Sequence, residues 1–333
     1  MDQQLQQHIC RIVGASAVVE LQTIQSLWSD CGQVAKVRWV GGDTGKVPGS
    51  GAVMKHVKMP SRIDHPRGWN TDRSTQRKVR SYEVETRWYA EYSERCPAAC
   101  RVPGYGGQAE WVDERLLMLE DLDASGFGRR LTHATGQALN ACIEWLAAFH
   151  ATFLGDRPDG LWDKGTYWHL DTRPDEYAAM QDGPLKSAAK RIDAALDASP
   201  FQTLVHGDAK LANFCFSTDT KTRGATAVAA VDFQYVGAGC GMKDLAYLVG
   251  GCLDAKACFD QEAQLLDTYF TALNTALSNR AIPINTRALE ADWRRLYPYA
   301  WADFQRFLMG WSPGHWKISP YSEHMTRRVL GDG

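Results

Sequence analysis

The chain of 333 residues has few of the features that place a protein by composition alone. No stretch is long and apolar enough to read as a transmembrane helix, and the N-terminal MDQQLQQHIC lacks the apolar region of a secretory signal. Neither sign of charge predominates: 37 Lys and Arg against 39 Asp and Glu leave a formal net charge of −2. That balance gives no electrostatic reason to expect nucleic acid or an anionic membrane as partner. The nine cysteines are odd in number and scattered; Cys96 and Cys100 lie closest together, but no second pair or flanking His completes a zinc site. Reduced thiols in a cytoplasmic protein are therefore expected. There is no internal repeat and no low-complexity tract. What remains, 44% hydrophobic and 23% charged residues, is globular and long enough for one large domain or two ordinary ones.

One stretch carries chemistry. LVHGDAKLANFCF, residues 204–216, runs from an apolar lead-in through His206-Gly207-Asp208 to Asn213, five positions after the Asp. A second β-type run, AVAAVDFQ, then reaches Asp232. An Asp, an Asn at +5 and a further Asp after a short strand is how kinases arrange a base and two magnesium ligands. Asp208 would take or align a hydroxyl proton, while Asn213 and Asp232 offer oxygen ligands to a hard cation that keeps several waters. Each residue alone also reads as a polar turn or a strand-end cap; the spacing and the apolar strands before both acids favour the chemical reading.

Earlier in the chain, residues 1–20 include a short helix, and Leu21 to Trp39 read as a hairpin around Cys31-Gly32. A second strand, AVMKHVKM, carries Lys55. A helix over about 73–95 has Tyr82, Trp88, Tyr89 and Tyr92 on its apolar face, and Glu85 projects from that same face. A buried carboxylate needs a partner, and Lys55 is the best candidate; Glu83, with Arg87 four residues on, reads as a solvent pair. The strand RLLMLEDL ends at Glu120-Asp121, and a helix over about 135–153 carries the stripe Leu139, Ile143, Leu146, Phe149 and Phe153. The boundary between lobes falls near 121–130, giving residues 1–122 and 123–333, with a partly helical insertion over 155–200.

HGDAKLANF, VDFQ and KDLAYLV together resemble the aminoglycoside phosphotransferase and choline kinase superfamily, with the ecdysteroid kinase-like branch nearest. The resemblance implies an α+β, bilobal protein-kinase-like fold: a small lobe of antiparallel sheet plus helix, and a larger, mainly helical lobe. It implies ATP and Mg2+ as cofactors, Asp208 as catalytic base, and Asn213 and Asp232 as metal ligands. Lys55, held by Glu85, would contact the nucleotide phosphates, and the backbone from Leu119 to Asp121 would read the adenine edge. His206 would support the loop, and Asp244 would cap or anchor it. Lys210, two residues after Asp208, would reach the γ-phosphate or stand as an exposed loop lysine.

Two further shortages narrow the reading. The first hairpin has no Gly-rich phosphate loop, only Ser29-Asp30-Cys31-Gly32, so Ser29, Gly32 and backbone N–H groups would have to grip the triphosphate. Only eleven residues separate Asp232 from Asp244, and no A-P-E follows, so the activation segment of a protein kinase does not fit. A small hydroxylated acceptor is expected instead, with a fold-preserving pseudokinase as the rival. GGDTGKV, residues 41–47, lacks the first Gly and the final hydroxyl of a Walker A loop and reads as a turn. In WADFQRFLMGWSPGHWK, residues 301–317, Asp303, Trp311 and His315 are candidate acceptor contacts, although core packing explains most of such a cluster.

Overall fold

The computed structural model describes residues 2–27, 31–42, 49–58, 72–218, 226–278 and 284–331. The chain divides into two compact units, Met1–Arg95 with Val102–Gly128, and Cys96–Arg101 with Arg129–Gly333.

In the first unit, helix α1 (Gln3–Val13) starts where the Asp2 carboxylate accepts the Gln4 N–H at 3.0 Å and stops at Gly14, whose φ of 68° only glycine adopts without strain. Leu5, Ile9 and Val13, four residues apart, line its buried face. Five strands follow: β1 (Ala17–Ser26), β2 (Gly32–Val40), β3 (Gly51–Lys58), β4 (Tyr105–Trp111) and β5 (Glu114–Leu119). They form one antiparallel sheet in the order β1-β2-β3-β5-β4. The α1 stripe packs on Ala35, Val37, Trp39, Ala52, Met54, Leu116 and Met118. Strand alternation then puts Lys55 and Val57 on the opposite face, where Val57 packs with Tyr82 of helix α2 (Asp72–Glu91). Tyr82, Glu85, Trp88 and Tyr89 of α2 are all buried, as the helical spacing predicts. One expected pair forms differently. Glu83 accepts from Arg115 of β5 at 3.0 Å and lies 3.6 Å from Arg80 on its own helix, while Arg87 turns to Glu91 at 2.9 Å.

The second unit is mainly helical. In α3 (Gly136–Thr152), Leu139, Ile143, Leu146 and Phe149 are buried, and Phe153 follows at the C-cap. Each such side chain contributes about 1.5–3 kcal/mol by leaving water. The 155–200 segment holds α4 (Pro174–Ala179) and α5 (Pro184–Asp197). Two short antiparallel pairs come next: β6 (Thr203–Val205) with β9 (Gly237–Gly239), and β7 (Phe214–Phe216) with β8 (Val228–Ala230). Helices α6 (Met242–Cys252), α7 (Ala255–Ser278), α8 (Thr286–Trp311) and α9 (Pro320–Leu330) complete the unit. The chain is thus α+β, with its main antiparallel sheet in the first unit and most of its helix in the second. Among the described residues, no helix is long and apolar enough to cross a membrane. None of the nine cysteines is in a disulfide.

Candidate active site

Strand β6 delivers the chain into His206-Gly207-Asp208. Gly207 has φ 79°, and a Cβ there would run into the Tyr235 carbonyl oxygen, so the turn requires glycine. The turn is held from α6. The Asp244 carboxylate accepts the backbone N–H of His206 at 2.6 Å and of Gly207 at 3.0 Å, and meets His150 Nε2 at 3.1 Å. His150 Nδ1 pairs in turn with the Tyr269 hydroxyl at 2.7 Å. Burial would raise the Asp244 carboxyl, but the His150 hydrogen bond, the nearby imidazoles and the Gly207 N–H hold it below the usual range. The anchoring role expected of Asp244 is what this geometry provides. His206 contributes similarly: Nε2 bonds the Val231 carbonyl at 3.0 Å, which leaves Nδ1 to accept the Asp208 N–H at 3.3 Å.

Asp208 is 7% exposed. Its Oδ2 accepts from Lys210 Nζ at 2.8 Å and Asn213 Nδ2 at 3.4 Å, and its Oδ1 accepts the Tyr247 hydroxyl at 3.1 Å. Burial raises the Asp208 carboxyl, Lys210 opposes that rise, and the charge of Asp232 adds to it. Asn213 Nδ2 also donates to the Asp208 carbonyl at 2.8 Å, and the Asn213 carbonyl accepts the Val231 N–H at 3.0 Å, tying the two loops together. Asp232 has φ 71°, a left-handed conformation uncommon for a residue with a Cβ, and its Oδ1 accepts from Gln234 Nε2 at 2.7 Å.

The donor set suits a hard cation. Asn213 spends its N–H2 on Asp208, and among the described residues no donor meets its side-chain oxygen. That oxygen and the Asp232 carboxylate are oxygen groups of the type magnesium takes and could hold one. No cluster of three or more His, Cys, Asp or Glu competes for a metal among the described residues.

In the first unit, Lys55 Nζ meets Glu85 Oε2 at 2.6 Å, with both side chains buried. Gly32 opens β2 with φ 119°, and a Cβ there would strike the His56 carbonyl, so its glycine serves close strand approach. Leu119 ends β5 opposite Val53, and Asp121 Oδ1 accepts the Asp123 and Ala124 N–H groups while Oδ2 pairs with Lys36. Ser29 and most of the Walker-like loop, residues 43–47, lie outside the described residues.

The candidate acceptor contacts separate. Asp303 is wholly buried and accepts Trp168 Nε1 at 3.0 Å and Arg306 Nη2 at 2.6 Å, with Lys243 Nζ at 3.6 Å. Its carboxylate is engaged inside the unit, where it fixes α8 against α6. Trp311 stacks on Phe307 at 5.5 Å and His315 lies 5.8 Å from Trp311, both partly exposed. Two neighbours of Asp208 have no motif of their own in the sequence. Tyr247, on α6, bonds Asp208 directly. Lys317 stands over the Tyr247 ring with its Nζ 3.9 Å from the centroid.

No curated protein matches the chain. Among solved structures it is similar to a microcompartment-associated aminopropanol kinase (14% identity, 100% of this chain and 99% of that one, TM-score 0.48). It is also similar to an aminoglycoside-3'-phosphotransferase of type VIII (15%, 83% and 92%, TM-score 0.45). A third is the Plasmodium vivax ethanolamine kinase (12%, 94% and 81%, TM-score 0.46). Residues 169–280, which contain the HGD loop, Asn213, Asp232 and Asp244, match the model of the ecdysteroid kinase-like family.

Proposed function

We propose that this protein is an ATP- and magnesium-dependent phosphotransferase acting on a hydroxyl of a small molecule. The observation that carries the reading is a buried Asp208 with one oxygen on Tyr247 and the other on Lys210, followed by Asn213 whose side-chain oxygen is left for a ligand. Bound magnesium would supply charge neutralisation of the triphosphate, held by Asn213 and Asp232. Asp208 takes the acceptor proton as the acceptor oxygen bonds to the γ-phosphorus, and the β–γ bridge opens to release ADP. Lys210 balances the charge on Asp208 and on the transferring group. Residues 1–122 serve as the nucleotide lobe, where Lys55, aimed by Glu85, contacts the phosphates and the Leu119–Asp121 backbone reads adenine. Residues 123–333 carry the base and the acceptor site.

The test is magnesium-dependent ADP release against a panel of hydroxylated compounds, together with thermal shift by ATP. ATP is expected to raise the melting temperature more with magnesium than without, and at least one acceptor to accelerate ADP release. A shift that ignores magnesium, with no turnover of any compound, would mark a binding module without transfer. Lys55→Met should weaken nucleotide binding at least tenfold by removing the phosphate contact, and should also lower the melting temperature, because it leaves the buried Glu85 carboxylate without its ion-pair partner. Unchanged ATP affinity and turnover in that variant would remove Lys55 from the nucleotide site.

A further inference from the structure

Lys317 lies in the segment between α8 and α9, and its ammonium is surrounded by aromatic faces. Nζ is 3.9 Å from the Tyr247 centroid, 5.4 Å from Phe304 and 5.6 Å from Trp316. On another side α6 closes in at Gly251, where a Cβ would stand 3.2 Å from Nζ. Among the described residues no oxygen forms a hydrogen bond or ion pair with this group. An ammonium has three donors, and ring faces offset only part of the cost of taking it from water. Burial pulls the Lys317 amine down to about 8, against the opposing pull of Asp208 and Cys252 and with the help of Lys210.

The position of this cation matters because of the ring it covers. The Tyr247 hydroxyl donates to Asp208 Oδ1, so one tyrosine carries the base carboxylate at its tip and an oxygen-less ammonium on its face. An acceptor whose hydroxyl meets Asp208 lies within a short chain's reach of Lys317. The aromatic faces that would attract a cationic acceptor are already taken by the protein's own cation.

We propose that Lys317 determines acceptor specificity: it binds a carbonyl or carboxylate oxygen on an alcohol whose hydroxyl reaches Asp208, and it excludes alcohols with a cationic end. The inference rests on the reading of Asp208 as the base, and it names the class of acceptor: uncharged or anionic, with an oxygen acceptor a few bonds from the hydroxyl. Specificity here is partly repulsive, since a fixed ammonium among the rings rejects a second one.

The experiment titrates the full chain with 4-hydroxybutyrate and with choline, two small alcohols of opposite terminal charge, using tryptophan fluorescence as the readout. Wild type is expected to bind 4-hydroxybutyrate in preference to choline. Lys317→Met should reverse that preference, by at least tenfold in the ratio of dissociation constants, and Lys317→Arg should keep it. A wild type that prefers choline, a Lys317→Met ratio within twofold of wild type, or no binding of either alcohol overturns the proposal. Magnesium-dependent ADP release by wild type, measured beside it, reports on the kinase reading separately. Turnover with an unchanged ratio removes Lys317 alone, whereas absent turnover with a reversed ratio removes the kinase reading and leaves the specificity site.

Discussion

Replacing Asp208 by Asn is expected to lower turnover by about 10²–10⁴-fold, the range that a positioned general base supplies. The substitution is close to isosteric. The amide oxygen can still accept the Tyr247 hydroxyl, which stands 3.1 Å from Oδ1, and the Asn213 bond to the Asp208 main-chain carbonyl is untouched. What disappears is the negative charge that would take the acceptor proton and that faces Lys210 at 2.8 Å. The loss of that pair is offset in part because a buried carboxylate no longer has to be desolvated, so stability should change little. The measurement is ADP release with the best acceptor, with circular dichroism as the control for folding. A folded variant with wild-type turnover would remove Asp208 from the chemistry, and with it the proposed mechanism. KM is expected to move less than kcat, since the side chain acts on the proton rather than on ground-state binding.

The sequence shows these features unevenly, and the reasons are physical. Periodicity exposes anything that one helix or strand decides alone. The α3 stripe and the buried face of α2 follow from spacing, and the burial of Glu85 on that face called for a cation, which Lys55 supplies at 2.6 Å. The Asp208–Asn213 spacing is legible because both residues sit on one short loop, closed by an Asn213 bond to the Asp208 carbonyl. Contacts that depend on how elements pack leave no such trace. Glu83 has a helical partner at the right spacing in Arg87, yet Arg115 of β5 takes it. Asp303 stands in an aromatic, polar run that suggests a pocket, whereas tertiary packing brings Trp168 and Lys243 to it, beside Arg306 three residues along the same helix. Lys317 has no motif, and its meeting with Tyr247 is a product of the α8–α9 connection folding back on α6. Tyr247 had a usable signal: it lies three residues after Asp244, on the same helical face, so an anchor read for one suggests a site contact for the other.

Asp244→Ala should be the most destabilising single change near the site, by about 3–5 kcal/mol, as for a buried pair that loses one partner. The carboxylate is fully buried and serves three groups at once: the His206 and Gly207 N–H groups and the His150 ring. Alanine leaves two buried backbone donors without an acceptor and opens a cavity beside His150, whose other nitrogen is committed to Tyr269. For a chain of this size the melting temperature should fall by roughly 6–20 °C, taking about 2–4 °C for each kcal/mol. The dependence on pH has a definite sign. The folded-state carboxyl is held below its usual value, so its stabilisation is present above the unfolded-state pKa and is lost as pH falls through the lower, folded-state one. Wild type and Asp244→Ala should therefore differ fully near neutrality and converge in strong acid. Asp244→Asn keeps one acceptor oxygen and should lie between them. Turnover should fall in both variants because residue 244 no longer accepts from all of its partners and so holds less firmly the turn that presents Asp208, even though Asp244 touches neither the acceptor nor nucleotide in the proposed mechanism. A melting temperature within about 1 °C of wild type in Asp244→Ala, a shift worth less than 1 kcal/mol by the same conversion, would show that the loop is held by the β6–β9 pairing and His206 instead. The two aspartates then give opposite signatures: Asp208→Asn loses chemistry and keeps the fold, while Asp244→Ala loses the fold first and the chemistry with it.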